Sequence, residues 1–391
     1  MRKSLHGLVL VMCVMLPVAT QAAHVNTRAL TGTRSHSISE NSHARRRISR
    51  LRQGRRSRTA SARLTHRRHR WHERFYTSSY ATDTLNGDIT NGEDATVRSA
   101  AIDALGNMNG TVVAMDPNTG RILAMVNQKL ALSAGAQPCS TIKVPVALAA
   151  LSEGIVTKET EVPISRHYAL NMTTALAHSN NAYFEALGRK LGFERVHRYS
   201  QMFGLGELAG YQIQGEHRGI YPATEISSKL GGVGRMCSYG EGISMTPLQL
   251  GALVSAVSNG GTLYYLQHPE SPEEVKAFEP RVKRSLKIDR AIPELADGLS
   301  GATHYGTARR LRLDFSQEEV LGKTGTCSHG GTRFGWFASY VNTDAGDIVV
   351  VVFLRGGRPT FGPKAAQVAG KMYQNLYQHS FFSAKVALPQ P

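Results

Sequence analysis

Apolar positions alternate between short, strand-like runs near the two ends of the C-terminal three quarters of the chain and helical spacing between them. Thr111-Val112-Val113-Ala114-Met115 and Arg121-Ile122-Leu123-Ala124-Met125 read as two strands. Asp116-Pro117-Asn118-Thr119-Gly120 joins them, a turn sequence so short that the pair must be antiparallel. Residues 321–326, 335–341 and 348–354 read as three more strands, and the tight connection Asn342-Thr343-Asp344-Ala345-Gly346 again argues for antiparallel pairing. Residues 93–107 place Val97, Ala101, Ile102 and Leu105 on one helical face, and 363–377 do the same with Ala366, Ala369, Met372, Tyr373 and Leu376. Between the strand groups, 144 to about 260 reads as mainly helical. Residues 182–191 form one helix ended by Gly192, and Thr246-Pro247-Leu248-Gln249 is a capping box that opens another, running to Ser258. Residues 264–320 read as irregular and charged. The pattern predicts the α/β class, of α+β type: an antiparallel sheet flanked by helices plus a mainly helical subdomain.

Charge changes the picture at the N-terminus. Met1-Arg2-Lys3 precedes an apolar run over 7–18 and the small residues Ala19, Ala22 and Ala23. Residues 1–23 therefore read as a secretory signal, with an uncleaved membrane anchor as the rival reading. Cys13 lacks the small residue ahead of it that lipidation needs. From His24 to Phe75 there are 15 Arg and only Glu40 and Glu73 against them, so this stretch holds +13 of the formal +17. It has almost no apolar pattern and reads as a disordered tail. Residues 76–92, rich in Tyr, Thr, Ser, Asn and Gly, continue 24–92 as a linker; 93–380 forms the catalytic domain and 381–391 a C-terminal tail. Such a basic run alone would suggest nucleic acid. Behind an export signal, anionic lipid headgroups or anionic envelope polymers suit it better, with a solvated tether that has no specific ligand as the alternative, and no nucleic acid is expected. His66, His69 and His72 sit among arginines, which oppose a cation, so no metal is expected.

The candidate chemistry starts at Cys139-Ser140-Thr141-Ile142-Lys143, expected to open a helix that runs through Val146 to Leu151 and stops near Gly154. Residues three apart on a helix share a face, so Ser140 and Lys143 can touch. A serine hydroxyl needs a base, and a desolvated lysine can serve. Pro145 is expected to leave one carbonyl of this helix without its donor. Two further motifs follow at wide gaps: Ser179-Asn180-Asn181, whose residue types also suit a helix N-cap, and Lys323-Thr324-Gly325-Thr326.

The order S-x-x-K, S-x-N, K-T-G-T resembles the penicillin-binding proteins and serine β-lactamases, which acylate on serine. The 111–125 hairpin, Ser238-Tyr239-Gly240-Glu241-Gly242 and Thr246-Pro247-Leu248-Gln249 also resemble the transpeptidase domain of penicillin-binding proteins. The resemblance spans roughly 110–378. It implies Ser140 as nucleophile, Lys143 as its base, and Ser179 as a relay to the leaving amine. Asn181, Lys323, Thr324, Gly325 and Thr326 would bind substrate, and the backbone N–H groups of Ser140 and Thr326 would form the oxyanion hole. Cys139 and Cys327 flank two of the motifs. They resemble the cysteine pair of class A carbapenem-hydrolysing β-lactamases, which implies a Cys139–Cys327 disulfide. Cys237 is left over as a buried apolar residue.

The implied activity is that of a peptidoglycan D,D-transpeptidase, acting on stem peptides ending in D-Ala-D-Ala and blocked by β-lactams, exported to the periplasm or cell envelope and needing no cofactor. The Glu-x-x-x-Asn spacing that class A β-lactamases use to activate water is not found before Lys323, and Asn181 stands where class D enzymes carry an apolar residue. Both points favour a transpeptidase over a β-lactamase. A D,D-carboxypeptidase is an alternative, and a β-lactam or muropeptide sensor without turnover is the alternative of another class. No glycosyltransferase module or long pedestal domain is legible ahead of the catalytic part, which argues against a main synthase.

Overall fold

The computed structural model describes residues 73–383. The expected export signal, the Arg-rich stretch through His72 and the end of the C-terminal tail lie outside the described residues. The first helix, α1 (Ala95–Leu105), starts where Asp94 accepts a bond from the Val97 N–H. Strands β1 (Gly110–Met115) and β2 (Ile122–Val126) follow as the expected hairpin. After a single turn, α2 (Gln128–Ala131), come α3 (Lys143–Ser152), a small hairpin β3–β4 (Val162–Ser165, Tyr168–Leu170), α4 (Met172–Ala177), α5 (Asn181–Leu191) and α6 (Phe193–Met202). Then come α7 (Gly232–Tyr239) and α8 (Pro247–Ser258), whose capping box pairs Thr246 with Gln249. A second small hairpin, β5–β6 (Thr262–Tyr264, Val282–Ser285), encloses α9 (Pro272–Lys276) and leads to α10 (Ala291–His304). Strands β7 (Leu321–His329), β8 (Thr332–Thr343) and β9 (Gly346–Gly356) and the last helix, α11 (Gly362–Gln378), complete the described chain.

The main sheet has five strands in the order β2-β1-β9-β8-β7, every pair antiparallel. Successive side chains of a strand point to opposite faces, and both faces are covered. Val112, Ala114, Val350 and Val352 pack under α1 and α11. Val113, Met115, Val349, Val351 and Trp336 pack against the helical part, where the Trp336 ring stacks on Phe353 at 4.0 Å between centroids. Two-sided burial is why β9 reads as an unbroken apolar run. The topology leaves β7 at an edge, with one side unpaired.

Two expectations need correction. Residues 76–92 pack onto the domain: Ser79 Oγ lies 2.9 Å from Thr360 Oγ1, and Asp88 accepts the backbone N–H groups of Asn127 and Gln128 at 3.0 and 2.8 Å. The stretch from 264 to 320 holds a 14-residue helix, α10. The helical subdomain also carries a β-hairpin, β3–β4.

Candidate active site

The segment that carries the candidate nucleophile Ser140 does not enter its helix directly. Cys139–Ile142 forms a 3₁₀ turn, and the α-helix begins at Lys143. Pro145 is therefore third in α3, where its missing N–H would have had no intrahelical partner, so the expected orphan carbonyl does not arise. Cys139 sits at φ +53°, a region that L-residues rarely occupy. It is held there from several sides. Its sulfur is bonded to Cys327, with the Cα atoms 5.5 Å apart. The Thr141 hydroxyl donates to Pro138 O at 2.7 Å. Trp336 Nε1 donates to Gln137 O at 3.0 Å, and Gln137 Nε2 donates to Tyr239 O at 2.9 Å. Ala136 and Met245 exchange two backbone bonds, of 3.1 and 2.9 Å. Gly240, at φ +67°, lets the chain pass Pro138, since a Cβ there would lie 2.4 Å from the proline ring. The segments around Tyr239 and Thr246 thus brace the turn that carries Ser140.

Lys143 is fully buried. Its Nζ lies 3.0 Å from Ser140 Oγ, 3.1 Å from Ser179 Oγ, 2.7 Å from Ser179 O and 2.6 Å from Asn181 Oδ1. Ser179 projects from the turn between α4 and α5 at φ +55°, while Asn180 caps α5 by accepting the Tyr183 N–H at 2.9 Å. The helix cap and the residue that reaches Lys143 are therefore different residues of one motif. Burial holds the Lys143 amine well below the usual lysine range; the Lys323 charge adds to this and Glu185 opposes it. A neutral amine has two N–H groups and one lone pair. Ser179 O and Asn181 Oδ1 can only accept, so they take both hydrogens and leave the lone pair for a serine hydroxyl.

Lys323, Gly325 and Cys327 point from β7 towards this turn. A Cβ on Gly325 would stand 2.8 Å from Pro138 O and 3.2 Å from Thr141 Cγ2. Lys323 is 1% exposed, donates to Thr324 O at 3.0 Å, and burial pushes its amine down to about 7. Thr324 Oγ1 is buried 2.6 Å from Thr307 Oγ1. The exposed Thr326 accepts the Gly362 N–H at 2.7 Å on its hydroxyl, whose hydrogen is left free. The structure thus gathers Ser140, Ser179 and Asn181 around one amine, with Lys323 close behind and Thr326 at the rim. A cavity of about 580 Å³ is lined by Gly135, Gln137, Gly242, His329 and Phe334 among others, and neither Ser140 nor Lys143 lines it.

The reading of the sequence missed Thr307 and Gln137. Thr307 also donates its N–H to Ala177 O at 3.1 Å, tying the Ser179 turn to the Thr324 strand. Nothing local marks it, because both partners are distant in sequence.

Residues 110–377 match the family profile described as the penicillin binding protein transpeptidase domain. Among curated relatives, the stage V sporulation protein D of Bacillus subtilis is 27% identical over 315 residues, covering 67% of this chain and 48% of that protein. The peptidoglycan D,D-transpeptidase MrdA of Acinetobacter baumannii is 24% identical over 365 residues, covering 74% and 54%. The chain thus spans about half the length of the curated relatives it matches. In fold it is similar to Pseudomonas aeruginosa PBP2, solved in complex with WCK 5153, with a TM-score of 0.62 at 22% identity over 77% of this chain and 78% of that one. It is also similar to the D,D-transpeptidase domain of a peptidoglycan glycosyltransferase from Eggerthella lenta, with a TM-score of 0.60 at 18% identity over 73% and 82%.

Proposed function

The chain belongs to the penicillin-binding protein transpeptidase family, and on that premise we propose that it is a serine D,D-transpeptidase acting on peptidoglycan stem peptides that end in D-Ala-D-Ala. The observation that carries this reading is the surroundings of Lys143 Nζ, where two pure acceptors orient a buried amine whose lone pair is left for a hydroxyl. Lys143 takes the Ser140 proton as Oγ attacks the carbonyl of the terminal peptide bond. The tetrahedral oxyanion is received by the backbone N–H groups of Ser140 and Thr326. Ser179 passes the proton to the departing D-alanine amine, leaving an ester on Ser140. An acceptor amine then attacks the ester, its proton leaves by the same route, and Ser140 regains its hydrogen. Asn181 holds Lys143 in place, Gly325 lets the backbone of the Ser140 turn come close to β7, and Thr326, with Lys323 and Thr324 buried behind it, forms the wall the substrate rests on.

A β-lactam would acylate Ser140 in the same way. Labelling with a fluorescent penicillin, wild type against Ser140→Ala, tests the reading, with label expected on the wild type alone. Persistence of the label for many minutes after a chase supports a transpeptidase. Fast release would make the protein a β-lactamase. Transfer to water in place of an amine, measured on a D-Ala-D-Ala peptide, would make it a D,D-carboxypeptidase. An adduct formed without any turnover of peptide would make it a sensor. The site of action is outside the cytoplasm, in the periplasm or cell envelope, reached through the signal at 1–23. There the Arg-rich stretch would hold the protein to anionic polymers or headgroups. Among the described residues, no helix is long and apolar enough to cross a membrane.

A further inference from the structure

Outside the Arg-rich stretch the chain is nearly balanced in charge, yet one face of the described domain is not. Between α10 and β7, residues 309–313 form a 3₁₀ turn of sequence Arg-Arg-Leu-Arg-Leu. The turn lies directly on α11, where a Cβ on Gly370 would stand 2.5 Å from Leu311 O. Leu311 and, just beyond the turn, Phe315 are buried, and the Phe315 ring packs on Tyr373 with centroids 5.6 Å apart. Between these two anchors Leu313 is turned outwards and is 73% exposed. Arg309 and Arg310 are exposed on the same turn. Arg310 extends over Phe361, its guanidinium carbon 5.0 Å from the ring centroid, and Arg312 donates to His304 Nε2 at 3.2 Å. On α11, Lys364 and Lys371 stand seven residues apart, on one face. Burial, and then the charges of Lys371 and Arg310, lower the Lys364 amine, with Asp314 opposing, so helix and turn share one basic field. Among the described residues, none of these five cations has a carboxylate within ion-pair distance.

An exposed leucine standing alone is ordinary, and so is an exposed arginine. Here the outward leucine stands among cations that lack carboxylate partners, on a turn whose other apolar residues are anchored in the core. Guanidinium groups take phosphate oxygens through a planar fork of donors, and a soluble polyanion would use that part alone. A membrane surface uses both parts: the cations meet anionic headgroups, and the apolar side chain enters the boundary between headgroups and acyl chains. We propose that the 309–313 turn, with Lys364 and Lys371 beside it, is a docking surface for an anionic lipid bilayer, and that Leu313 is the side chain it inserts. The contact goes beyond the acyl-transfer reading and does not depend on it. It is also distinct from the Arg-rich stretch, since it is built into the folded domain and fixes which side of that domain faces the lipid.

The test reads position 313 itself, so binding of vesicles through the Arg-rich stretch does not disturb it. The full chain carries Cys13→Ser and Leu313→Cys, with an environment-sensitive nitrobenzoxadiazole on the new thiol. Cys139 and Cys327 are bonded to each other and Cys237 is buried, so the label goes to one place. Vesicles of phosphatidylglycerol and phosphatidylcholine are expected to shift the emission to the blue, and a nitroxide on the acyl chains should quench it. Vesicles of phosphatidylcholine alone, and soluble polyphosphate, should do neither. Adding Arg309→Ala, Arg310→Ala and Arg312→Ala should raise the lipid concentration needed for the response roughly hundredfold, about fivefold per arginine. A thermal melt reports whether that variant is folded. Added salt should weaken the response of the labelled chain that keeps its arginines, which tests the same charges without further substitution. A label that stays in water while the vesicles hold the protein overturns the proposal, and so does a response that survives loss of the arginines in a folded variant. An equal response to polyphosphate overturns it in favour of an anionic polymer. The acyl-enzyme reading fails separately, by the absence of a penicillin adduct on the wild type.

Discussion

Asn181 Oδ1 stands 2.6 Å from Lys143 Nζ and, with Ser179 O at 2.7 Å, decides where the hydrogens of that amine point. A contact of this kind matters through orientation more than through stability. Replacing Asn181 with Ala should leave the fold intact and lower the acylation rate roughly 10²-fold, the low end of what a positioned base contributes. Asn181→Asp should do something different. A carboxylate beside the amine favours its charged form, raising a value that burial now holds low. The acid limb of the acylation profile should move to higher pH, with the rate recovering in alkaline buffer. A profile parallel to that of the wild type would show that Asn181 does not touch the base in solution.

Lys323 carries a pH dependence of stability as well as of rate. Its folded value is about 7 against an ordinary value of 10.5, so the unfolded chain binds one more proton between those two values. Stability should therefore rise as pH climbs from about 7 to 10.5, and the full cost of the buried lysine is present below about 7. Lys323→Met removes this contribution. The variant should be more stable than the wild type by at most a few kcal/mol at pH 7, with the gap closing by pH 10. The same variant loses the positive charge that helps lower Lys143, so its acylation limb should shift to higher pH. Denaturant melts at the two pH values and a rate profile read the two effects separately.

What the sequence made legible follows from how local the cause is. The capping box at Thr246, the stop at Gly192 and the strand over 348–354 are written in neighbouring residues, and each was found where expected. Ser140, Lys143, Ser179 and Asn181 were legible as motifs, though only the fold shows that they share one nitrogen. Helix α10 lies in the stretch that reads as irregular and charged, and it contains Pro293, Gly298 and Gly301, residue types that disfavour a helix interior. Pro293 is third in the helix, where proline costs little, and a Cβ on Gly298 would lie 2.7 Å from Leu176 Cβ, so that glycine permits close packing on α4. Residues 76–92 were hidden for another reason. Their order comes from side chains that reach distant backbone, as when Gln128 Oε1 accepts the Ile89 N–H at 2.9 Å.

The Cys139–Cys327 bond ties the residue before the nucleophile to the strand that carries Lys323 and Gly325. Its two cysteines are 188 positions apart, so it constrains a long stretch of unfolded chain. Cys139→Ala with Cys327→Ala should cost about 2–4 kcal/mol in a reversible melt. The acylation rate should fall by more than the melt alone implies, because Cys139 at φ +53° loses one of the bonds that hold the turn. Treatment of the wild type with a reductant should reproduce the rate loss. An unaltered rate in the variant would show that Trp336, Tyr239 and Met245 suffice to hold the turn.

Gly325 offers the sharpest separation between folding and chemistry. Its φ lies outside the left-handed region, so alanine is not excluded by backbone strain. What excludes it is contact: a Cβ would meet Pro138 O at 2.8 Å, a backbone atom in a braced turn with little room to yield, and Thr141 Cγ2 at 3.2 Å. The edge strand and the nucleophile turn must then part by a few tenths of an ångström. That gap opens between the two N–H groups proposed to share the oxyanion, and loss of one such donor costs about 10²–10³ in rate. Gly325→Ala is therefore expected to acylate roughly 10²-fold more slowly while its melting temperature drops by only a few degrees. Gly322→Ala on the same strand is the control: its Cβ would meet Phe337 and Ala338, away from Ser140, so stability should suffer and the chemistry of the folded fraction should not. A Gly325→Ala protein that acylates at the wild-type rate would place the oxyanion donors somewhere other than the junction of these two segments.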